Sequence, residues 1–233
     1  MSQPLNLTSK LTSNQKRFFA EIIGTFVLVV LATGSVVLDA KYVGTFGLWF
    51  VALCPAIAVA LMVILFGKIS MAHFNPAVTI GFLITRHMPK NQLVLYLLAE
   101  VIGAFFASTF VKYVIGVQAN LGANAPDYSF SLPVVFLVEV LATVFLMAVI
   151  LVVVHTKGLK GFGGIAIGAI VGLDIFFLSF VSGASMNPIR SLAPAVLSGS
   201  VGDLWLYLTA PFVGSSLAAC AYKRICSNLP SKS

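Results

Sequence analysis

The stretch HFNPAVTIG, residues 73–81, decides how this chain folds. Asparagine followed by proline is a helix-start signal. Asparagine suits the cap, and proline suits the first helical position because its missing N–H would be unpaired there anyway. Yet the motif falls where the surrounding chain is apolar enough to lie in a bilayer. A second copy, SMNPIRSLA at 185–193, repeats the pattern 112 residues later. After each Asn-Pro the helical segment is short, 76–86 and 188–198. A span needs about twenty residues, so neither can cross a membrane.

The chain around these motifs is 59% hydrophobic and only 9% charged over 233 residues, with a mean hydropathy of +1.04. A soluble domain of this size cannot bury that much apolar surface, so the solvent is lipid. Six stretches are long enough to span as helices: 18–38, 46–66, 92–115, 133–154, 162–181 and 202–222. The net charge of +7 is explained by topology and does not call for a nucleic-acid partner. Placing the N-terminus in the cytoplasm puts Lys10, Lys16, Arg17, Lys68, Arg86, Lys90, Lys157, Lys160, Lys223, Arg224 and Lys232 inside and only Lys41, Lys112 and Arg190 outside. Both termini are therefore expected in the cytoplasm of a cell membrane. Residues 1–17 form a polar leading segment with no signal-peptide cleavage pattern, and 225–233 form a tail. Topology gives no reason for Arg190. Cys54, Cys220 and Cys226 are odd in number and fit no metal-site spacing, so neither metal nor cofactor is expected. No nucleophile–base pairing suggests an enzyme.

The 112-residue offset recurs. Ala52, Ala56 and Ala60 map onto Gly164, Gly168 and Gly172, two small-residue ladders of the kind that let helices approach closely in lipid. YLLAEVIGAFFA at 96–107 maps onto YLTAPFVGSSLA at 207–218 at an offset of 111, and Glu21 maps onto Glu139 at 118. The expected architecture is one all-α domain, 18–224, built from halves at about 18–116 and 133–224. Three spans per half invert the second half relative to the first, giving a pseudo-two-fold axis in the membrane plane. The two half-helices then meet near the midplane at their positive ends. The loops before them, 67–74 and 182–186, carry unpaired carbonyls, which are tolerated at that depth only beside protein or a water-filled path.

These residues resemble a known family. ISMAHFNPAVTIG and SGASMNPIRSLAPA, with AEIIGTF at 20–26, are similar to the signature segments of the aquaporin, or major intrinsic protein, family, and the resemblance covers about 18–224. It implies six transmembrane helices plus two re-entrant half-helices, assembled as a homotetramer with one pore per protomer. Pore width, lining donors and a cation-repelling barrier govern selectivity in such channels, a general rule for which aquaporins are themselves a standard example. By resemblance, Asn75, Pro76 and Ala77 with Asn187, Pro188 and Ile189 form the central constriction, and the two asparagines donate to a passing oxygen. Carbonyls near Met71, Ala72 and His73 and near Gly183, Ala184 and Ser185 line the opposite wall. Glu21 and Glu139 brace the two loops.

The same resemblance places the selectivity filter at Pro55, Ile175, Ala184 and Arg190. Water-selective members carry a bulky aromatic and a histidine there, and both are missing. The expected filter is wide and apolar on three sides, most similar to nodulin-like and archaeal members. It implies glycerol, urea, ammonia or metalloid hydroxides as solutes, with or without water. Proline at 55 departs from the pattern, and a kink would shift the lining to Cys54 or Ala56. Ser191 and Ala195 stand where glycerol-type members carry an acid and a base. The family's common mercury-sensitive cysteine position is Ala184 here.

Several residues leave alternatives open. Glu100 and Asp174 are intramembrane carboxylates, which fit either internal hydrogen bonding or a proton site. His73 fits loop bracing or a pH gate. His87 and His155 are expected at the solvated cytoplasmic edge. The functional expectation is a passive channel for water and small neutral solutes. The alternatives are a proton-coupled transporter using Asp174 or Glu100, or a structural membrane protein with a closed pore.

Overall fold

The computed structural model describes residues 11–156 and 161–227. Among them, six helices are long and apolar enough to cross a membrane: α1 (Ser13–Lys41), α2 (Gly47–Ser70), α4 (Leu93–Phe110, prolonged by one wider turn over Val111–Ile115), α6 (Leu132–His155), α7 (Gly163–Ser182) and α9 (Leu204–Ser227). Two short helices follow the Asn-Pro motifs, α3 (Pro76–Ile84) and α8 (Pro188–Ser198). A further turn, α5 (Gln118–Gly122), precedes α6. The all-α architecture of six spans and two half-helices is as expected.

The helices overrun the apolar stretches because caps, not hydropathy, end them. At α1, the Thr12 hydroxyl accepts from the Gln15 amide at 3.3 Å and the Gln15 side chain accepts from the Thr12 amide at 2.8 Å. This reciprocal box starts the helix several residues before the hydrophobic run. Likewise α2 continues to Ser70, so the first loop is shorter than the expected 67–74 and begins at Met71.

Small residues set the closest contacts. The two ladders predicted by the repeat pack on each other, α7 against α2. A Cβ at Gly164 would sit 2.6 Å from the Ala60 carbonyl oxygen, and one at Gly168 would strike the Ala56 carbonyl. Two other helix pairs, α1 with α4 and α6 with α9, repeat the device. A Cβ at Gly103 of α4 would meet the Ile22 carbonyl of α1 at 2.6 Å, and one at Gly214 of α9 would strike the Val140 carbonyl of α6. Without a hydrophobic drive between helices in lipid, backbone proximity and dispersion supply the association.

The ends of the bundle opposite the chain termini are tied by cations. Lys41 Nζ donates to the Ile115 carbonyl and Lys112 Nζ to the Leu197 carbonyl, each at 3.0 Å. Arg190 Nη1 donates to the Gly122 carbonyl at 2.9 Å. The three basic residues set apart by the charge count therefore all cap carbonyls on that face. This favourable pairing of cations with helix C-terminal carbonyls needs no anion.

Candidate functional site

The two loops that precede α3 and α8 share one backbone conformation. Met71, Ala72 and Phe74 lie at φ 66°, 53° and 51°, and Gly183, Ala184 and Met186 at φ 79°, 45° and 55°. For residues with a Cβ this left-handed region costs roughly 1–2 kcal/mol each. Such strain persists only where the surroundings hold it. Glu21 does so from α1: its Oε1 accepts from the His73 amide at 3.0 Å and its Oε2 from the Phe74 amide at 2.7 Å. Glu139 repeats this from α6, accepting from Ser185 at 2.8 Å and Met186 at 3.1 Å. Tyr96 and Tyr207 close each loop by donating to the Ser70 and Ser182 carbonyls, both at 2.7 Å. Both glutamates are fully buried. Each satisfies two amides that would otherwise be orphaned in the membrane interior.

At the centre, Asn75 Oδ1 caps α3 by accepting from the Ala77 amide at 2.9 Å. Asn187 Oδ1 caps α8, accepting from Ile189 at 3.2 Å. Each Nδ2 then crosses to the other half: Asn75 donates to the Met186 carbonyl at 2.8 Å and Asn187 to the Phe74 carbonyl at 2.9 Å. A side-chain amide has two protons, so one on each asparagine is engaged by the opposite loop and one remains.

One cavity of about 600 Å³ passes both asparagines. It extends from Lys68 and Gly163, at the terminus-side ends of α2 and α7, to Arg190. All four expected filter positions, Pro55, Ile175, Ala184 and Arg190, border it, as do Met71, Ala72, His73 and Ser185. Cys54 and Ala56 do not, so the proline leaves the lining at its own position. Five expected residues stand apart from the wall. Pro76, Ala77, Pro188 and Ile189 are buried in the first turns of α3 and α8 without bordering the cavity. Gly183 is also off the wall, because its carbonyl accepts from Asn124 Nδ2 at 2.9 Å. Phe74 and Met186 border the cavity in a way the motif reading missed. Their positions, each one residue before a capping asparagine, were the available sign. The other wall is aliphatic, with Leu28, Val59, Leu146, Ile150 and Val171.

Neither carboxylate considered for proton coupling borders the cavity. Glu100 is fully buried, and its Oε1 accepts from Thr79 Oγ1 at 2.6 Å. With that hydroxyl proton committed, His73 Nδ1 donates to Thr79 at 2.8 Å, so His73 is fixed between the rings of Phe82 and Tyr96. Asp174 is 4% exposed and does not border the cavity. His87 and His155 are not simply solvated. Their Nε2 atoms lie 2.8 Å apart, while His155 Nδ1 donates to the Leu151 carbonyl at 2.7 Å. Burial, and then the charge of His155, push the His87 imidazole below its ordinary value.

This inverted arrangement around one cavity has known relatives. A family model described as major intrinsic protein matches residues 8–222. The chain belongs to the major intrinsic protein family. As a member it is similar to aquaporin NIP3-1 of Oryza sativa subsp. japonica, 35% identical over 211 residues covering 90% of this chain and 68% of that protein. It is also similar to glycerol uptake facilitator protein-like 6 of Lactiplantibacillus plantarum, 37% identical over 213 residues covering 88% of this chain and 96% of the relative. Among solved structures, the aquaglyceroporin from Plasmodium falciparum superposes with a TM-score of 0.77 at 27% identity, covering 91% of this chain and 97% of that one. The expected likeness to nodulin-like members agrees with the first of these names. This member of the major intrinsic protein family is a multi-pass integral membrane protein.

Proposed function

We propose that this chain is a passive channel for water and small neutral solutes of the glycerol, urea, ammonia or metalloid-hydroxide class, and not an enzyme. The observation that carries the reading is the two-faced cavity. One wall offers loop carbonyls, two asparagine amides and Arg190; the other is aliphatic. A solute with hydroxyls on one side and carbon on the other is matched along its length, without a charged pocket that would hold it. The similarity to an aquaporin, a glycerol facilitator and an aquaglyceroporin supports the same class.

In this reading Asn75 and Asn187 each offer their remaining amide proton to the permeant at the centre. The converging ends of α3 and α8 add positive potential that disfavours cations, hydronium included. Pro55, Ile175, Ala184 and Arg190 form the filter, and Glu21 and Glu139 hold the loops. Residues 18–224 act as one channel domain between two cytoplasmic segments. The basic residues clustered on the terminus side support termini in the cytoplasm of the cell membrane. Homotetrameric assembly is part of this reading, supported by membership of the family.

The test is stopped-flow light scattering on proteoliposomes, first with an impermeant osmolyte, then with glycerol, urea and boric acid. Fast shrinkage followed by fast re-swelling is expected. Flux that requires a proton gradient would instead support the coupled reading, against which Glu100 and Asp174 already lie off the path.

A further inference from the structure

We propose that Asn124 positions Arg190 and thereby sets how the filter discriminates between water and larger neutral solutes. The inference rests on the channel reading above.

Asn124 lies between α5 and α6, outside both repeat motifs. Its Oδ1 accepts from Arg190 Nη1 and, at 2.8 Å, from Ser191 Oγ. Its Nδ2 donates to the Gly183 carbonyl at 2.9 Å. Both lone pairs of the amide oxygen are thus used. One side chain joins the first turn of α8 to the end of α7, beside the filter residue Ala184.

Two backbone carbonyls hold the arginine besides Asn124. Nη1 has two protons, one directed to Asn124 and one to the Gly122 carbonyl at 2.9 Å. Nη2 reaches the Ala32 carbonyl at 3.4 Å. Asn124 supplies the one side-chain acceptor of the guanidinium among the described residues. It is also set on a rigid mount. Ala119, Asn120 and Leu121 lie at φ 48°, 51° and 60°, a left-handed turn. Leu121 is 2% exposed. A Cβ on Gly122 would sit 2.6 Å from the Thr33 carbonyl oxygen, so this backbone is wedged against α1. Strained backbone that is this closely supported is a usual setting for a positioning element.

The pseudo-two-fold axis sharpens the contrast. Thr79 and Ser191 are equivalent, each hydrogen-bonded to the side chain two residues before its capping asparagine. Beyond that the halves diverge. Thr79 donates to Glu100, which holds no filter residue, whereas Ser191 donates to Asn124, which also holds the filter arginine. The asymmetric partner is therefore the one with a consequence for selectivity. Without that acceptor, the guanidinium keeps only the Gly122 and Ala32 carbonyls and gains freedom toward the cavity it borders. It would swing between Pro55, Ile175 and Ala184, obstructing glycerol more than water.

The experiment compares wild type with Asn124→Ala, Asn124→Leu and Asn124→Asp in proteoliposomes. Water and glycerol permeabilities are measured on the same vesicles. Folding is checked by size exclusion and thermal midpoint in one detergent. Alanine and leucine are expected to lower the glycerol-to-water ratio at least threefold, since leucine restores bulk but not the acceptor. Aspartate keeps the acceptor for Arg190 and Ser191, strengthened by its charge, and turns an oxygen in place of the donor toward Gly183. Because the guanidinium stays held, the ratio is expected to remain within twofold of wild type. Folded Ala and Leu variants with an unchanged ratio would overturn the inference. So would an Asp variant as impaired as Ala. A wild type that moves neither water nor glycerol would overturn the channel reading itself, and the inference with it.

Discussion

Asn75 and Asn187 brace each other's loops: the amide of each donates to the carbonyl one residue before the other, at 2.8 and 2.9 Å. The same side chains cap α3 and α8 through their oxygens. Each asparagine therefore joins three jobs: starting a helix, locking the two halves together, and presenting a donor to the cavity.

Replacing Asn75 with alanine removes the cap and leaves the Met186 carbonyl unpaired. Loss of a cap costs about 1 kcal/mol, and a buried acceptor left without a partner costs about 1–3 kcal/mol. A lower thermal midpoint in detergent and reduced water permeability are expected together. An Asn75→Ala protein with wild-type melting and flux would mean that the cross-brace is not what holds the centre open.

Gly168 leaves no room for a side chain, because its Cβ direction ends on the Ala56 backbone. Gly168→Leu must push α7 from α2, and overpacking of this kind costs about 1–3 kcal/mol or more. The variant is expected to lose its folded, monodisperse form on size exclusion. Gly202→Ala, where nothing lies within 4 Å, is expected to elute like wild type.

The His87–His155 contact makes stability depend on pH. The His155 Nδ1 proton is fixed on the Leu151 carbonyl, so its Nε2 accepts from His87 when the pair is neutral. A second cation puts two protons face to face and breaks the contact. Burial lowers the His87 value in the folded protein below its ordinary 6.5, so the unfolded chain binds the extra proton first. Stability is then full above about pH 6.5 and falls as pH drops through the folded value. Thermal midpoints measured from about pH 8 down to about pH 5 should show this fall, and His87→Gln should flatten it.

Cys54 is half-buried and away from the cavity, and Cys220 and Cys226 are exposed on α9. A mercurial reagent is expected to leave wild-type flux nearly unchanged. Ala184→Cys places a thiol on the cavity wall and is expected to confer block that a reducing thiol reverses. Strong block of wild type, abolished by Cys54→Ser, would put Cys54 on the path after all.

Much of the site was legible because it is written locally. An asparagine before a proline caps a helix wherever it occurs, so Asn75 and Asn187 declared two half-helices. The 112-residue offset between them paired Met71 with Gly183 and His73 with Ser185 without any tertiary contact. Asn124 was not legible. It belongs to neither repeat, and a lone asparagine in a connecting segment has no local sign of its partner. The same limit hid the His87–His155 contact, which joins residues 68 apart.

What the sequence alone determined is the solvent, the six spans, the inverted halves and the two capped half-helices, because hydropathy and capping act within a few neighbouring residues. What the tertiary structure decided is which polar atoms remain free. Asn75 and Asn187 each keep one amide proton, Gly183 has its carbonyl taken by Asn124, and Glu100 and Asp174 lie off the path. Hydrogen-bonding capacity is finite at every atom, and who takes it up depends on segments brought together only when the two halves close on each other.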